Sequence, residues 1–188
     1  MLEVSALALF PADKRMKPGE YGHVIAAHGD GSTSLEELHW GLRPRDGGRP
    51  WGLIRSEGKS FDGLRCIVPV DDFSINGHHP NPGKWQVVPT RPNAAFAGIW
   101  RRPYPDWPAS YALLTVEAGP DLAPYEPRQN IVLWEEDWRD WLHHLRPAEE
   151  ILRAPPMGSL VVERRLGRSR AQREAPEPQK REPSLFGS

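Results

Sequence analysis

Apolar residues recur along the chain in short runs broken by Pro, Gly and Asn, at Gly22–Ala27, Arg65–Val70, Trp85–Val88, Ala94–Trp100, Tyr111–Val116, Asn130–Leu133 and Ser159–Glu163. Runs of this length, rich in β-branched and aromatic residues and bounded by turn formers, predict strands. One stretch departs from the rhythm. Glu135-Glu136-Asp137 opens a segment in which Trp138, Trp141, Leu142 and Leu145 are spaced i, i+3, i+4, i+7, the signature of an amphipathic helix. Its acidic first turn and its late His143, His144 and Arg146 complement the helix dipole, and Pro147 stops it. A second short helix is predicted over Ala148–Arg153, ended by Pro155-Pro156. A third is predicted around Ser34–His39, with Ser34 as N-cap and Glu37 three residues on. The pattern as a whole predicts a strand-dominated α+β domain with a few short helices and no internal repeat.

Composition narrows this picture. A chain of 188 residues fits one domain with a substantial core, and 21 prolines with 17 glycines favour many turns over a helical bundle. Eight tryptophans against five phenylalanines mean that several indoles must build the core or line a groove. The single cysteine, Cys66, excludes an intramolecular disulfide, and no Cys/His spacing suggests a zinc site or another metal or cofactor. Residues 2–10 are mostly apolar but lack a basic region before them, and no run approaches a membrane span, so a cytoplasmic protein is expected.

Net charge hides an asymmetry. Residues 1–163 carry 17 Lys/Arg against 22 Asp/Glu, giving −5, whereas 164–188 carry 7 against 3, giving +4. The last segment is rich in Arg, Pro, Glu, Gln and Ser and has too little apolar content to order itself. The expected organisation is a domain over 1–163 and a basic, disordered tail over 164–188.

The order of motifs adds a resemblance. His39-Trp40-Gly41-Leu42-Arg43-Pro44, Arg65-Cys66-Ile67-Val68-Pro69-Val70-Asp71-Asp72-Phe73, Phe96-Ala97-Gly98-Ile99-Trp100, Tyr111–Glu117, Asp121–Arg128 and Trp134–Leu142 follow one another as do the motifs of the SRAP (SOS-response-associated peptidase) family. The resemblance covers roughly residues 39–145. It implies the SRAP fold, twisted antiparallel sheets in a barrel-like core, and a link to the SOS and abasic-site DNA-damage response.

In that family a cysteine at position 2 supplies an amine and a thiol. The amine forms a Schiff base with the aldehyde of an abasic sugar in single-stranded DNA, and the thiol closes a thiazolidine, while Asn, Glu and His orient the sugar and move protons. Here Leu2 stands where the cysteine is expected. Leu53 aligns with the Asn, Ile75 with the Glu and Glu126 with the His, while Arg55 and Glu57 persist. The resemblance therefore implies a degenerate member without a catalytic residue at any of these four positions. Cys66, inside an apolar strand, reads as a core residue. His78 and His79 read as a solvent-exposed pair, and Glu57, Glu126, Asp71 and Asp72 as structural or surface carboxylates.

What survives such a loss is binding. Arg43, Arg45, Arg49, Arg55, Lys59 and Arg65 crowd a window that in the family contributes to the single-stranded DNA channel, with Trp40 and Trp51 as stacking platforms. Arg101 and Arg102, followed by Tyr104 and Trp107, are similar candidates. At the C-terminus Ser184-Leu185-Phe186 is similar to the end of bacterial sliding-clamp-binding peptides, with Glu182 and Pro183 where those carry Gln and Leu. The leading expectation is a protein that binds single-stranded DNA or repair partners without crosslinking. Its rivals are a Schiff-base lyase or peptidase-like enzyme using a nucleophile other than cysteine, such as the Met1 amine, and a protein-interaction module.

Overall fold

The computed structural model describes residues 16–44 and 47–164. It begins with a hairpin, β1 (Tyr21–Ala27) and β2 (Thr33–Trp40), paired along the whole length of β1. The Asp30-Gly31 turn sets the register: Gly31 takes φ +82, Asp30 Oδ1 accepts the Ser32 N–H at 2.9 Å, and the His28 N–H donates to Ser32 O at 2.9 Å. The helix expected over Ser34–His39 is therefore a strand. Seven residue pairs to β1 outweigh a capping-box pattern, and the Ser34 hydroxyl turns to the Glu36 carboxylate, 2.6 Å away, instead of capping a helix.

The remaining strands are β3 (Leu53–Arg55), β4 (Arg65–Pro69), β5 (Phe73–Gly77), β6 (Gly83–Pro89), β7 (Ala95–Arg101), β8 (Ser110–Glu117), β9 (Arg128–Asn130), β10 (Val132–Leu133) and β11 (Leu160–Arg164). Among them β3 and β5 escape the sequence pattern, because three residues and an exposed-buried mixture give too weak a run to see. The larger sheet runs β10-β7-β4-β1-β2-β8-β3, with β9 on β8 and a further pairing of β7 with β8. It curves like a barrel without forming a closed one. The β1–β4 and β2–β8 seams hold only two residue pairs each, and β2 and β3 run parallel to β8. A second sheet, β11-β6-β5, packs across its inner face.

Two apolar layers result. Between the sheets lie Val24, Leu38, Cys66, Phe96, Tyr111, Leu113, Ile75, Val87 and Leu160. On the other face, Ile67, Leu114, Ile131 and Leu133 meet α1 (Glu135–Leu142) and α2 (Ala148–Ile151) through Trp138, Trp141, Leu142 and Ile151. The first helix ends before Leu145, which is 53% exposed rather than on the buried stripe, because His144 turns into the left-handed region at φ +55. Gly98 shows why the middle of β7 must be bare: a Cβ there would lie 2.9 Å from Cys66 Sγ and 3.0 Å from Ala112 O. Cys66 itself is fully buried, and burial pushes its thiol far above the ordinary value, as suits a core residue.

Six of the eight indole N–H groups donate to backbone carbonyls: Trp40 to Gly52, Trp85 to Asn81, Trp100 to Ala27, Trp107 to Gly41, Trp138 to Leu133 and Trp141 to Cys66. The tryptophans are thus mostly framework. Trp51, 47% exposed, is the one left to face solvent.

Candidate functional site

Two neighbouring regions hold the residues on which function turns. The first is the rim where β2, β3, β7 and the 102–109 connection meet. Leu42 pairs with Trp51, and the Trp107 indole donates to Gly41 O at 3.0 Å, pinning the connection against the chain that leaves β2. The Arg43 guanidinium lies 5.8 Å from the Trp107 ring, and Arg101 Nη1 donates to Arg43 O at 3.1 Å. Beyond Trp107 the His39 ring meets it edge-on at 5.3 Å and meets Tyr21 at 5.5 Å. His39 Nδ1 is buried with no hydrogen-bond partner.

Arg43, Arg101, Trp51 and Trp107 thus converge from separate segments, with Arg49 and Arg102 exposed nearby in the chain. Arg55 and Lys59 are exposed further along β3 and its exit, where Lys59 Nζ donates to Arg55 O at 3.0 Å. Trp40 does not face solvent as a platform. It stacks on Tyr111 at 6.1 Å and spends its N–H on Gly52 O. Arg65, counted with the basic window from the sequence, is 4% exposed and turned into the helix side. Arg45 lies outside the described residues.

Tyr21 and His39 are the rim residues that sequence reasoning misses. They are register partners in the β1–β2 hairpin, and a helix assigned to Ser34–His39 hides the pairing. The Asp30-Gly31 turn was the available signal.

The second region is where β5 meets the chain before β9, and it holds two of the carried-over positions. Leu53 sits on β3 opposite Leu113, 54% exposed. Ile75 points from β5 into the core at 8% exposure. Next to it the Asn76 N–H donates to Glu126 Oε1 at 3.0 Å, and the His78 N–H to Tyr125 O at 2.8 Å, so the chain before β9 straps the outer edge of β5. Burial pushes the Glu126 carboxyl above its ordinary value, against the opposing pull of the Asn76 N–H and of His78. Ile75 and Glu126 are thereby brought together, while Leu53 stays exposed on β3. Leu2, and the tail residues Ser184, Leu185 and Phe186, lie outside the described residues.

Glu57 and Arg128 tie the exit of β3 to β8 and β9. Arg128 Nη2 donates to Glu57 Oε2 at 2.7 Å and to Thr115 O at 2.9 Å, and Glu57 Oε1 accepts the Glu117 N–H at 3.1 Å. The Arg128 hydrogen bond above all holds the Glu57 carboxyl at about 2. A carboxylate whose folded value is depressed contributes stability above its unfolded value and loses it as pH falls through the folded one. Urea stability is therefore expected to lose this contribution between about pH 4.5 and about pH 2. Glu57→Gln removes that part of the acid dependence, read from denaturation profiles of the two proteins.

Among the described residues no three His, Cys, Asp or Glu side chains are placed to hold a metal, and no helix is long and apolar enough to cross a membrane. The architecture is that of an α+β protein with two packed sheets, two short helices and a basic, aromatic rim. The chain belongs to the SRAP, or SOS response associated peptidase, family, whose pattern matches residues 58–164. The matched segment includes Ile75 and Glu126 and begins after Leu53 and Glu57. Among solved structures, a Bordetella bronchiseptica protein superposes with a TM-score of 0.63 at 21% identity, covering 78% of this chain and 84% of that one. A phage-related protein from the same organism gives 0.62 at 22% identity, covering 79% of each. A Bacteroides thetaiotaomicron protein gives 0.63 at 18% identity, covering 85% of this chain and 82% of that one. At these identities the likeness is one of fold. No curated protein matches the chain.

Proposed function

We propose that this SRAP-family chain binds single-stranded DNA across the Arg43–Trp51–Arg101–Trp107 rim and does not form the family's thiazolidine crosslink. The observation that carries the reading is the convergence of two arginines and two indoles, one of them exposed, from segments distant in sequence. Single-stranded DNA is held by cations that follow its phosphates and by aromatic faces on which its bases stack.

The loss of chemistry has its own support. Ile75 offers an apolar, buried side chain where the family resemblance expects a carboxylate, and the Glu126 carboxylate is committed to a backbone N–H. A group so engaged orients a strand and is poorly placed to shuttle protons to a substrate.

The test is incubation with single-stranded DNA containing one abasic site, followed by a denaturing gel with and without borohydride. The expected result is retention of both intact and abasic strands in native gels, weakening with salt, and no adduct under denaturing conditions. A heat-stable adduct, or one trapped by borohydride and abolished by blocking the N-terminal amine, overturns the non-catalytic reading. Failure to retain intact strands at low salt overturns the DNA-binding one.

A further inference from the structure

On the face of the larger sheet that packs against the helices, Arg65 rises from the start of β4 into the seam beside Trp141. Its Nε donates to Phe61 O at 3.0 Å, one Nη1 hydrogen to Trp141 O at 2.9 Å, and its guanidinium lies 4.1 Å above the Trp141 ring. Arg65 is 4% exposed and forms no ion pair within 4.0 Å among the described residues, though the Asp62 carboxylate interacts with it at longer range. Five N–H groups belong to a guanidinium, and these bonds use two.

Arg65 forms part of the wall of two cavities. One, of about 940 Å³, opens between the 56–62 loop and the 144–149 connection. The other, of about 380 Å³, lies toward the β1–β2 turn. His144 lines both as well. It occupies the residue just past the helix cap with φ +55, a position where Gly or Asn is ordinarily found because a larger side chain is strained there. A histidine kept at such a place, beside a buried cation, is a local cost that structure alone does not repay. The groups facing the imidazole are Arg65 from β4, Asp62 and the Gly63 backbone from the loop, and His143 from the helix end. Burial first, and then Arg65, hold His144 below its ordinary value, against the opposing pull of the Gly63 backbone and Asp62, and the two basic heads share one wall.

We infer that Arg65 and His144 form an oxyanion site that takes the phosphate or carboxylate head of a small molecule lying in the larger cavity. The free edge of the guanidinium is a planar donor fork suited to two oxygens. The same cavity is lined by Lys59 and Arg146 and by the carboxylates Glu57, Asp62 and Glu149, with Lys59 Nζ donating to Arg55 O at 3.0 Å. An anion between the heads opposes the Arg65 repulsion and favours the imidazolium, so binding takes up a proton at His144. Affinity therefore rises as pH falls through the His144 titration.

The probes are inorganic phosphate and acetate, titrated at constant ionic strength against chloride and followed by amide NMR on the full chain. Saturable movement of the Gly63 and His144 amides by phosphate or acetate, with chloride inert, is the expected result. It should be accompanied by an upward shift of the His144 imidazole titration. His144→Gly relieves the strained backbone, so it keeps or raises the melting temperature while weakening the anion about tenfold or more. Lys59→Ala, at an exposed position, weakens it less. Responses no larger than those to chloride, or a His144→Gly protein that titrates like the parent, overturn the site. The DNA-binding reading stands or falls separately, on the rim at the other face.

Discussion

Replacing Trp141 by alanine is expected to cost about 3–5 kcal/mol, a large fraction of the stability of a typical domain. Trp141 is fully buried in the layer between the larger sheet and the helices, with Phe61 edge-on at 6.3 Å. Its indole N–H meets Cys66 O at 3.0 Å, and its face carries the Arg65 guanidinium. Truncation opens a cavity, leaves a buried carbonyl without its donor and takes the ring from beneath a buried cation, and these costs add. Trp141→Phe keeps most of the packing and the ring face but loses the N–H. It is expected to fall between the two, the difference from wild type measuring chiefly the Cys66 bond at about 1–3 kcal/mol. Chemical denaturation of the three proteins checks the order. An alanine variant within 1 kcal/mol of wild type would show that α1 is not held by this residue.

Arg43→Ala combined with Arg101→Ala is expected to lower single-stranded DNA affinity by about 10- to 100-fold. Two lost phosphate contacts should also flatten the slope of log affinity against log salt by about 1.4. Both follow from placing the two cations beside Trp107 on one rim. Arg101 also holds the Arg43 carbonyl, so the melting temperature of the double variant must be measured. A binding loss with an unchanged slope would point to altered packing instead of lost charge. Trp51→Ala, by contrast, should reduce affinity with little change in slope, because stacking releases no counterions. Unchanged affinity in all of these variants would move any DNA path elsewhere on the molecule.

Much of the frame was legible from the residues. Seven apolar runs fall in strands, and the amphipathic spacing of Trp138, Trp141 and Leu142 places α1 and its buried face. The SRAP resemblance, resting on six ordered motifs, agrees with the family match over residues 58–164. Where local pattern misleads, a non-local partner is the cause. Ser34–His39 looks helical until β1 pairs with it, and β3 is invisible because three residues find their reason only in lying beside β8.

The candidate sites divide the same way. The sequence by itself determined that Ile75 and Glu126 stand where the family resemblance implies a carboxylate and an imidazole. It also determined that six basic residues crowd between Arg43 and Arg65. Only the tertiary structure decided which of them share a surface. Sequence spacing says nothing of the fold's return paths, and it is those that carry Arg101 and Trp107 to Arg43 while burying Arg65 on the opposite face against Trp141. Charge is a property of the residue, but whether it meets solvent, a ligand or a helix end is settled by what the chain packs against it.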